Sequence, residues 1–302
     1  MRAMEQVSAQ HPGRGRRPRL RAVARMLASL LLGAMAIFGA MFVFRQGLLP
    51  LIDAAFHPTA QATSAIRRVG IPLVALLAYW VYVRWHEKRE VTELRLKPLP
   101  LVLGGVGGAA LVGLPIAALF ALGAYEAIVL RGFSSALLGV AGVIVVAATI
   151  EELVYRCLLF RVMEGSLGTA WALPIQAGVF ALMHLGNVEH GTALDATTML
   201  VSVTLLGLLW AGLFVLARNL WVVAAHHAAW NFTILLSGVP LSGIEDWRGL
   251  APIESRLVGP QWLTGGMFGP ESSLLVIALL AAAVVLLLRR ARRRGAFVHP
   301  QA

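Results

Sequence analysis

The sequence predicts an all-α fold, a polytopic membrane bundle of about eight transmembrane helices. Apolar runs of spanning length recur along the whole chain. Hydrophobic residues make up 58% of its 302 residues and charged residues only 14%. The mean hydropathy is +0.76. Together these are the marks of a multi-pass membrane protein.

The chain opens on a basic tail, residues 1–21, with Arg14, Arg16, Arg17, Arg19 and Arg21 before an apolar run. Such a start resembles a signal peptide. The run at 22–44 is long enough to span, however, and no clear small-residue cleavage site ends it, so it reads as a retained first helix. Further spans are expected near 69–85, 99–122, 134–162, 169–186, 197–217, 219–237 and 272–288. The third holds Gly104, Gly105, Gly107, Gly108 and Pro115, which points to close helix packing or a kink. Four blocks complete the organisation: N-terminal helices over 22–130, a core over 131–237, a loop over 238–271, and a last span with a basic tail over 272–302.

The net charge is +11. Its positive residues gather at the ends and in the loop 84–97, which carries Arg84, Lys88, Arg89, Arg95 and Lys97; the C-terminus carries Arg289, Arg290, Arg292, Arg293 and Arg294. The positive-inside rule accounts for this pattern better than nucleic-acid binding does. It puts both termini and the loop 84–97 in the cytoplasm, as in a bacterial-type cytoplasmic membrane, and leaves Arg67 and Arg68 on the outer side against the trend. The loop 238–271 is then extracytoplasmic. It reads as a plain surface loop, with a partly ordered cap as the alternative. Glu189, His190 and Asp195, in the outer loop after the fifth span, read as solvated. The single cysteine, Cys157, excludes an intrachain disulfide and a cysteine zinc cluster, and reads as a small buried hydrophobe.

Within this apolar chain, Thr149-Ile150-Glu151-Glu152-Leu153-Val154-Tyr155-Arg156 stands out. An ionisable side chain inside a membrane helix costs at least ~2.5–3.5 kcal/mol on insertion scales, which makes it a functional-site hypothesis. The plainer alternative is a helix end whose charges reach the headgroups. Residues i and i+4 share a helix face, so Glu152 can pair with Arg156, while Glu151 faces elsewhere without a local partner. The same spacing puts Phe180 and His184 on one face of the fifth span, and His227 and Asn231 on one face of the seventh; His226 shares its face with Trp230. Measured from turns near Gly165–Gly168 and Arg218–Asn219, Glu151 and His184 lie roughly 22–26 Å in, and His227 and Asn231 roughly 13–19 Å in. All four can therefore meet. A lone membrane histidine or asparagine is ordinarily a helix–helix hydrogen-bonder, but four such groups on three helices suit hydrolysis. A carboxylate in a poorly hydrated cavity can take a proton from water, a neighbouring histidine can hold that water, and a second histidine with an amide can meet a developing oxyanion.

These residues resemble the motifs of the CPBP intramembrane proteases, the family that groups type II CAAX prenyl endopeptidases with the bacteriocin-processing and immunity (Abi) proteins. The resemblance covers roughly residues 134–237, about a third of the chain, and rests on Glu151-Glu152-x-x-x-Arg156, Phe180-x-x-x-His184 and His227-x-x-x-Asn231. It implies a cavity between the motif helices, open toward the cytoplasm, and hydrolysis of a peptide bond in a membrane-associated protein or peptide. By the same resemblance Glu151 would be the general base, His184 its partner on the water, and His227 and Asn231 the oxyanion donors. Glu152, Arg156 and Phe180 would shape the site. The family is often labelled metalloprotease. Glu151, His184 and His227 could supply one zinc ligand each, but no His-Glu-x-x-His occurs and a metal-free mechanism, which needs no further residue, is preferred.

Two rivals remain at this level. One is a non-catalytic scaffold or immunity protein that keeps the polar cluster for packing. The other is a proton-coupled transporter, disfavoured because no internal repeat is evident. An aspartyl dyad is excluded, since Asp53, Asp195 and Asp246 do not pair within spans. No glycine stands two residues before the serine in Ser237-Gly238 or Ser242-Gly243, so a rhomboid-like serine motif is excluded too. The substrate is not legible, and a prenylated tail is one option beside a peptide leader or another membrane protein.

Overall fold

The computed structural model describes residues 16–188 and 191–300. Arg14, Glu189 and His190, weighed above, lie outside them. Helix α1 (Arg16–Val43) runs through a π-helical turn (Phe44–Leu48) into α2 (Leu49–Phe56). Then follow α3 (Ala60–Trp85) and α4 (Pro98–Ala121), and a strand β1 (Tyr125–Leu130). The next rod is α5 (Ser135–Glu152), a π-helical stretch (Leu153–Phe160) and α6 (Arg161–Leu167). Helices α7 (Thr169–Met183), α8 (Ala193–Ala217) and α9 (Leu220–Leu236) complete the core. Strand β2 (Ile253–Leu257), the short α10 (Gln261–Thr264) and α11 (Leu274–Arg293) end the chain.

The helical-bundle class holds. Among the described residues six helices are long and apolar enough to cross a membrane: Arg21–Phe56, Ala60–Trp85, Pro98–Ala121, Ser135–Leu167, Ala193–Ala217 and Leu274–Arg293. The other two expected spans are the shorter apolar helices α7 and α9, of 15 and 17 residues. At 1.5 Å rise per residue they reach only about 22–26 Å, short of a bilayer core of about 30 Å. Helix α9 sits inside the bundle against α4 and α5, while α7 packs one face on α8 and leaves Trp171, Leu182 and Met183 exposed. The second span begins earlier than expected. Thr59 caps it by accepting from the Ala62 amide at 3.3 Å. Arg67 and Arg68 therefore lie within α3, and Arg68 reaches the Gly139 carbonyl of α5.

Helix α9 is central because α4 lets it come close. A Cβ on Gly104 would collide with the Val222 carbonyl, and one on Gly108 with that of His226. Small residues four apart let two backbones touch, which is the main attractive device between apolar helices in lipid.

The two ends of the bundle differ. At one end, Asn219 Nδ2 donates to the Arg95 carbonyl at 2.7 Å and Trp221 Nε1 to that of Leu94 at 2.8 Å. Arg218 pairs with Glu164, and the Thr169 amide donates to the Val298 carbonyl at 3.0 Å. The loop 84–97, both short turns and the C-terminal tail thus converge. Beneath them Glu93 is buried among Tyr79 and Arg89, while Arg161 bridges to Glu87 at 2.7 Å.

The opposite end is closed by residues 237–273. They do not form the plain surface loop that was expected. Strand β2 pairs antiparallel with β1, with an irregularity between Ala127 and Val129. The Tyr125 hydroxyl donates to the Thr264 carbonyl at 2.6 Å, and Ser255 Oγ to that of Ser237 at 2.6 Å. Arg248 donates to the Gly238 and Ser255 carbonyls. Once their polar groups are paired in this way, the segments form a cap. Asp195 belongs to it and is buried, not solvated: it completes the capping box of α8 with Thr192 and accepts from Gln261 Nε2 at 2.6 Å.

Candidate active site

The π-helical stretch begins directly after Glu152. A wider turn inside a helix re-aims the side chains around it and is common at functional sites. Here it follows two adjacent carboxylates with different surroundings. Glu151 and Tyr155 line a cavity of about 340 Å³. Glu152 and Arg156 are wholly buried behind it, 3.0 Å apart. The intrahelical pair and the separate course of Glu151 follow the spacing read from the sequence.

Arg156 is placed by aromatic faces. Its guanidinium carbon lies 4.5 Å from the Phe180 ring centre and 5.4 Å from that of Trp210, within cation–π range. Phe180 meets Tyr155 and Trp210 edge-on, at 4.9 and 5.8 Å. Trp210 in turn stacks on His227, with centroids 3.8 Å apart and planes 19° from parallel. On its far side, Trp210 Nε1 donates to His226 Nδ1 at 3.1 Å. His226 thus braces Trp210 and does not line the cavity.

His227 is fixed from behind. Its Nδ1 lies 2.8 Å from Glu152 Oε1, the oxygen that also accepts from Arg156. A carboxylate beside a buried guanidinium accepts, so Nδ1 carries the proton and Nε2 is left for the cavity. His184 is arranged in the same way at the end of α7: Nδ1 donates to the Phe180 carbonyl at 2.7 Å, again leaving Nε2. Asn231, one turn beyond His227, lines the same cavity. All four residues that depth estimates brought together from the sequence share it: Glu151, His184, His227 and Asn231. Glu151 Oε2 is buried and has no hydrogen-bond partner among the described residues.

The remaining wall comes from residues that the sequence did not assign to the site. Asn187, Ser242, Trp247 and Glu271 all line the cavity. Glu271 is buried, accepts from Trp230 Nε1 at 3.0 Å and from the Ser242 hydroxyl, and so ties the cap to α9. Burial pushes its carboxyl above the ordinary carboxylate range, against the hydrogen bonds of Ser242 and Trp230. Trp210 is the other omission: a tryptophan inside an apolar helix carries no signal of its own, and only its stacking on His227 reveals its part.

Among the described residues no group of three or more His, Cys, Asp and Glu side chains is disposed to hold a metal ion. Glu151, His184 and His227 are not among such groups.

Arg156, Cys157, Phe160 and Phe214 are all buried, and Arg161 and Arg89 pair with Glu87 and Glu93 at the end of the basic loop. No curated protein matches the chain. Residues 133–233, the stretch that bears every one of the three motifs, match the family model described as type II CAAX prenyl endopeptidase Rce1-like.

Proposed function

We propose that the protein is an intramembrane endopeptidase that hydrolyses a peptide bond in a membrane-associated protein or peptide. The observation that carries this reading is the convergence of Glu151, His184, His227 and Asn231 on one cavity, inside the stretch that matches a peptidase family. In this reading 131–237 is the catalytic core, 22–130 its supporting helices and 238–271 its cap.

The mechanism follows from the free atoms. A water sits between Glu151 and His184 Nε2. Glu151 takes one of its protons as the water oxygen attacks the substrate carbonyl. The carbonyl oxygen becomes an oxyanion, which accepts from Asn231 Nδ2 and from His227 Nε2. His227 donates from Nε2 while Nδ1 stays bonded to Glu152, whose carboxylate it shares with Arg156. The carbon–nitrogen bond then breaks and the proton held by Glu151 passes to the departing amine. Glu152 and Arg156 are positioning residues here, because they act through His227 and Phe180.

The test compares protein termini in membranes of cells that carry wild type or Glu151→Gln at equal expression. New termini or accumulated precursors that depend on Glu151 are expected. Identical termini across growth conditions would favour a non-catalytic scaffold. A zinc requirement is tested separately, since turnover should survive a strong chelator.

A further inference from the structure

We propose that Glu271 is a positioning residue for the hydrolysis, the centre of a hydrogen-bonded bridge that runs from the His184 turn through the cap to α9 and fixes the water-holding histidine against the oxyanion donors. The proposal rests on the proteolytic reading above. It adds to that machinery a residue outside the matched stretch 133–233.

The bridge can be followed bond by bond. After α7 the chain makes one turn of 3-10 helix, Leu185–Val188. In it the Asn187 amide donates to the His184 carbonyl at 2.9 Å. The Asn187 side chain then crosses to the cap, where Nδ2 donates to the Ser242 carbonyl at 2.9 Å. The Ser242 hydroxyl donates to Glu271 Oε2, and Glu271 Oε1 accepts from Trp230 Nε1 at 3.0 Å. On α9, Trp230 directly precedes Asn231 and follows His227 by three residues. Each end of the bridge is thus a turn that carries residues of the site. Asn187, Ser242 and Glu271 line the cavity between them.

The backbone of the cap is shaped to hold these groups. Ser242 has a left-handed φ of 51°, in the tight turn closed by the Leu241–Ile244 bridge. A residue other than glycine keeps such a conformation only where its surroundings over-determine it. A Cβ on Gly243 would lie 2.5 Å from the Asn187 carbonyl oxygen, and one on Gly269 would collide with the Pro240 carbonyl. The strip that carries Ser242 therefore touches the His184 turn on one side and the strip that carries Glu271 on the other.

An apolar side chain would fill the place of Glu271 at lower cost, because a buried carboxyl must be compensated by hydrogen bonds. Glu271 is 1% exposed, and each of its oxygens is engaged by a group whose own chain leads to the site. Burial holds its carboxyl above the ordinary range, so the bonds and not a negative charge carry the role. An amide of the same shape can then replace it. Gln accepts from Trp230 through its oxygen and donates to the Ser242 hydroxyl, which accepts as readily as it donates.

The experiment measures kcat and KM of the full-length protein in vesicles, on a peptide of the cleaved sequence that the termini reveal. It compares wild type, Glu271→Ala, Glu271→Gln, Asn187→Ala and the double alanine variant, with the unfolding temperature of each. Glu271→Ala should lower kcat about 10²-fold, the cost of an ångström's misplacement, and leave KM near wild type. Glu271→Gln should restore kcat. The double variant should be little slower than Glu271→Ala alone, since both changes cut the same bridge. Wild-type kcat in Glu271→Ala overturns the proposal. So does a folded Glu271→Gln as slow as Glu271→Ala, or losses that multiply in the double variant. Should Glu271→Ala not fold, the decision falls to the other two single variants: kcat lowered in Asn187→Ala and kept in Glu271→Gln supports the bridge, and any other pair of results overturns it. Turnover that is equal in wild type and Glu151→Gln defeats the proteolytic reading and the proposal with it. Turnover that needs Glu151 but not Glu271 defeats the bridge alone.

Discussion

Glu151 and Glu152 are neighbours in sequence with opposite consequences when changed. Glu152 neutralises Arg156 where neither side chain touches solvent. Removing one partner of a buried pair strands the other, at about 3–5 kcal/mol. Glu152→Ala should therefore lower the unfolding temperature in detergent markedly, as followed by circular dichroism. Glu151→Gln should leave that temperature near wild type, since Glu151 Oε2 has no partner to lose. The Glu152–Arg156 pair and the separate course of Glu151 were legible from the i, i+4 spacing. So was the meeting of His184, His227 and Asn231 in one cavity, because polar groups in apolar spans have a cost that a shared site can offset. Glu271 was not, because a carboxylate at the border of a loop and a span looks solvated until the fold buries it under Ser242 and Trp230.

Among the elements, the contact of α4 with α9 gives the sharpest test. Gly108 sits against the His226 backbone, whereas Gly105 has nothing closer than 3.9 Å. Gly108→Ala should destabilise by about 1–3 kcal/mol through overpacking. Gly105→Ala should be neutral or slightly stabilising, as alanine favours a helix. Thermal unfolding of the two variants side by side checks this. The glycines of the third span announced close packing; which of them touch could only be seen in three dimensions. The π-helical stretch after Glu152 carried no warning, because its residues are those of any apolar helix. The β1–β2 pairing was equally hidden, since its strands stand more than a hundred residues apart in sequence.

The loop 84–97 brings a pH dependence. Burial alone raises the Glu87 and Glu93 carboxyls, but hydrogen bonds and charge from Arg161 and Arg89 outweigh it and hold both below the ordinary range. A depressed carboxyl contributes stability above its unfolded value and loses it as pH falls through its folded value. The basic end should thus loosen only in acid, below pH about 4. Proteolytic nicking of the loop 84–97 across an acid series would show this, with Glu87→Gln already loosened at neutral pH.

For the molecule as a whole, hydropathy and charge made the bundle and the grouping of its basic loops readable in advance. They could not show what lines the cavity, because that depends on aromatic packing around Arg156 and on a cap assembled from distant segments. The resulting arrangement is a cavity that Glu151, His184, His227 and Asn231 share, walled in part by the cap. Its central claim is that Glu151 activates the water. Once a cleaved sequence is known from the termini, the most direct test is turnover of a peptide of that sequence by purified wild type and Glu151→Gln in vesicles, at matched unfolding temperatures. The account predicts a loss of about 10²–10⁴-fold, the contribution of a positioned general base. Turnover retained in Glu151→Gln would contradict it.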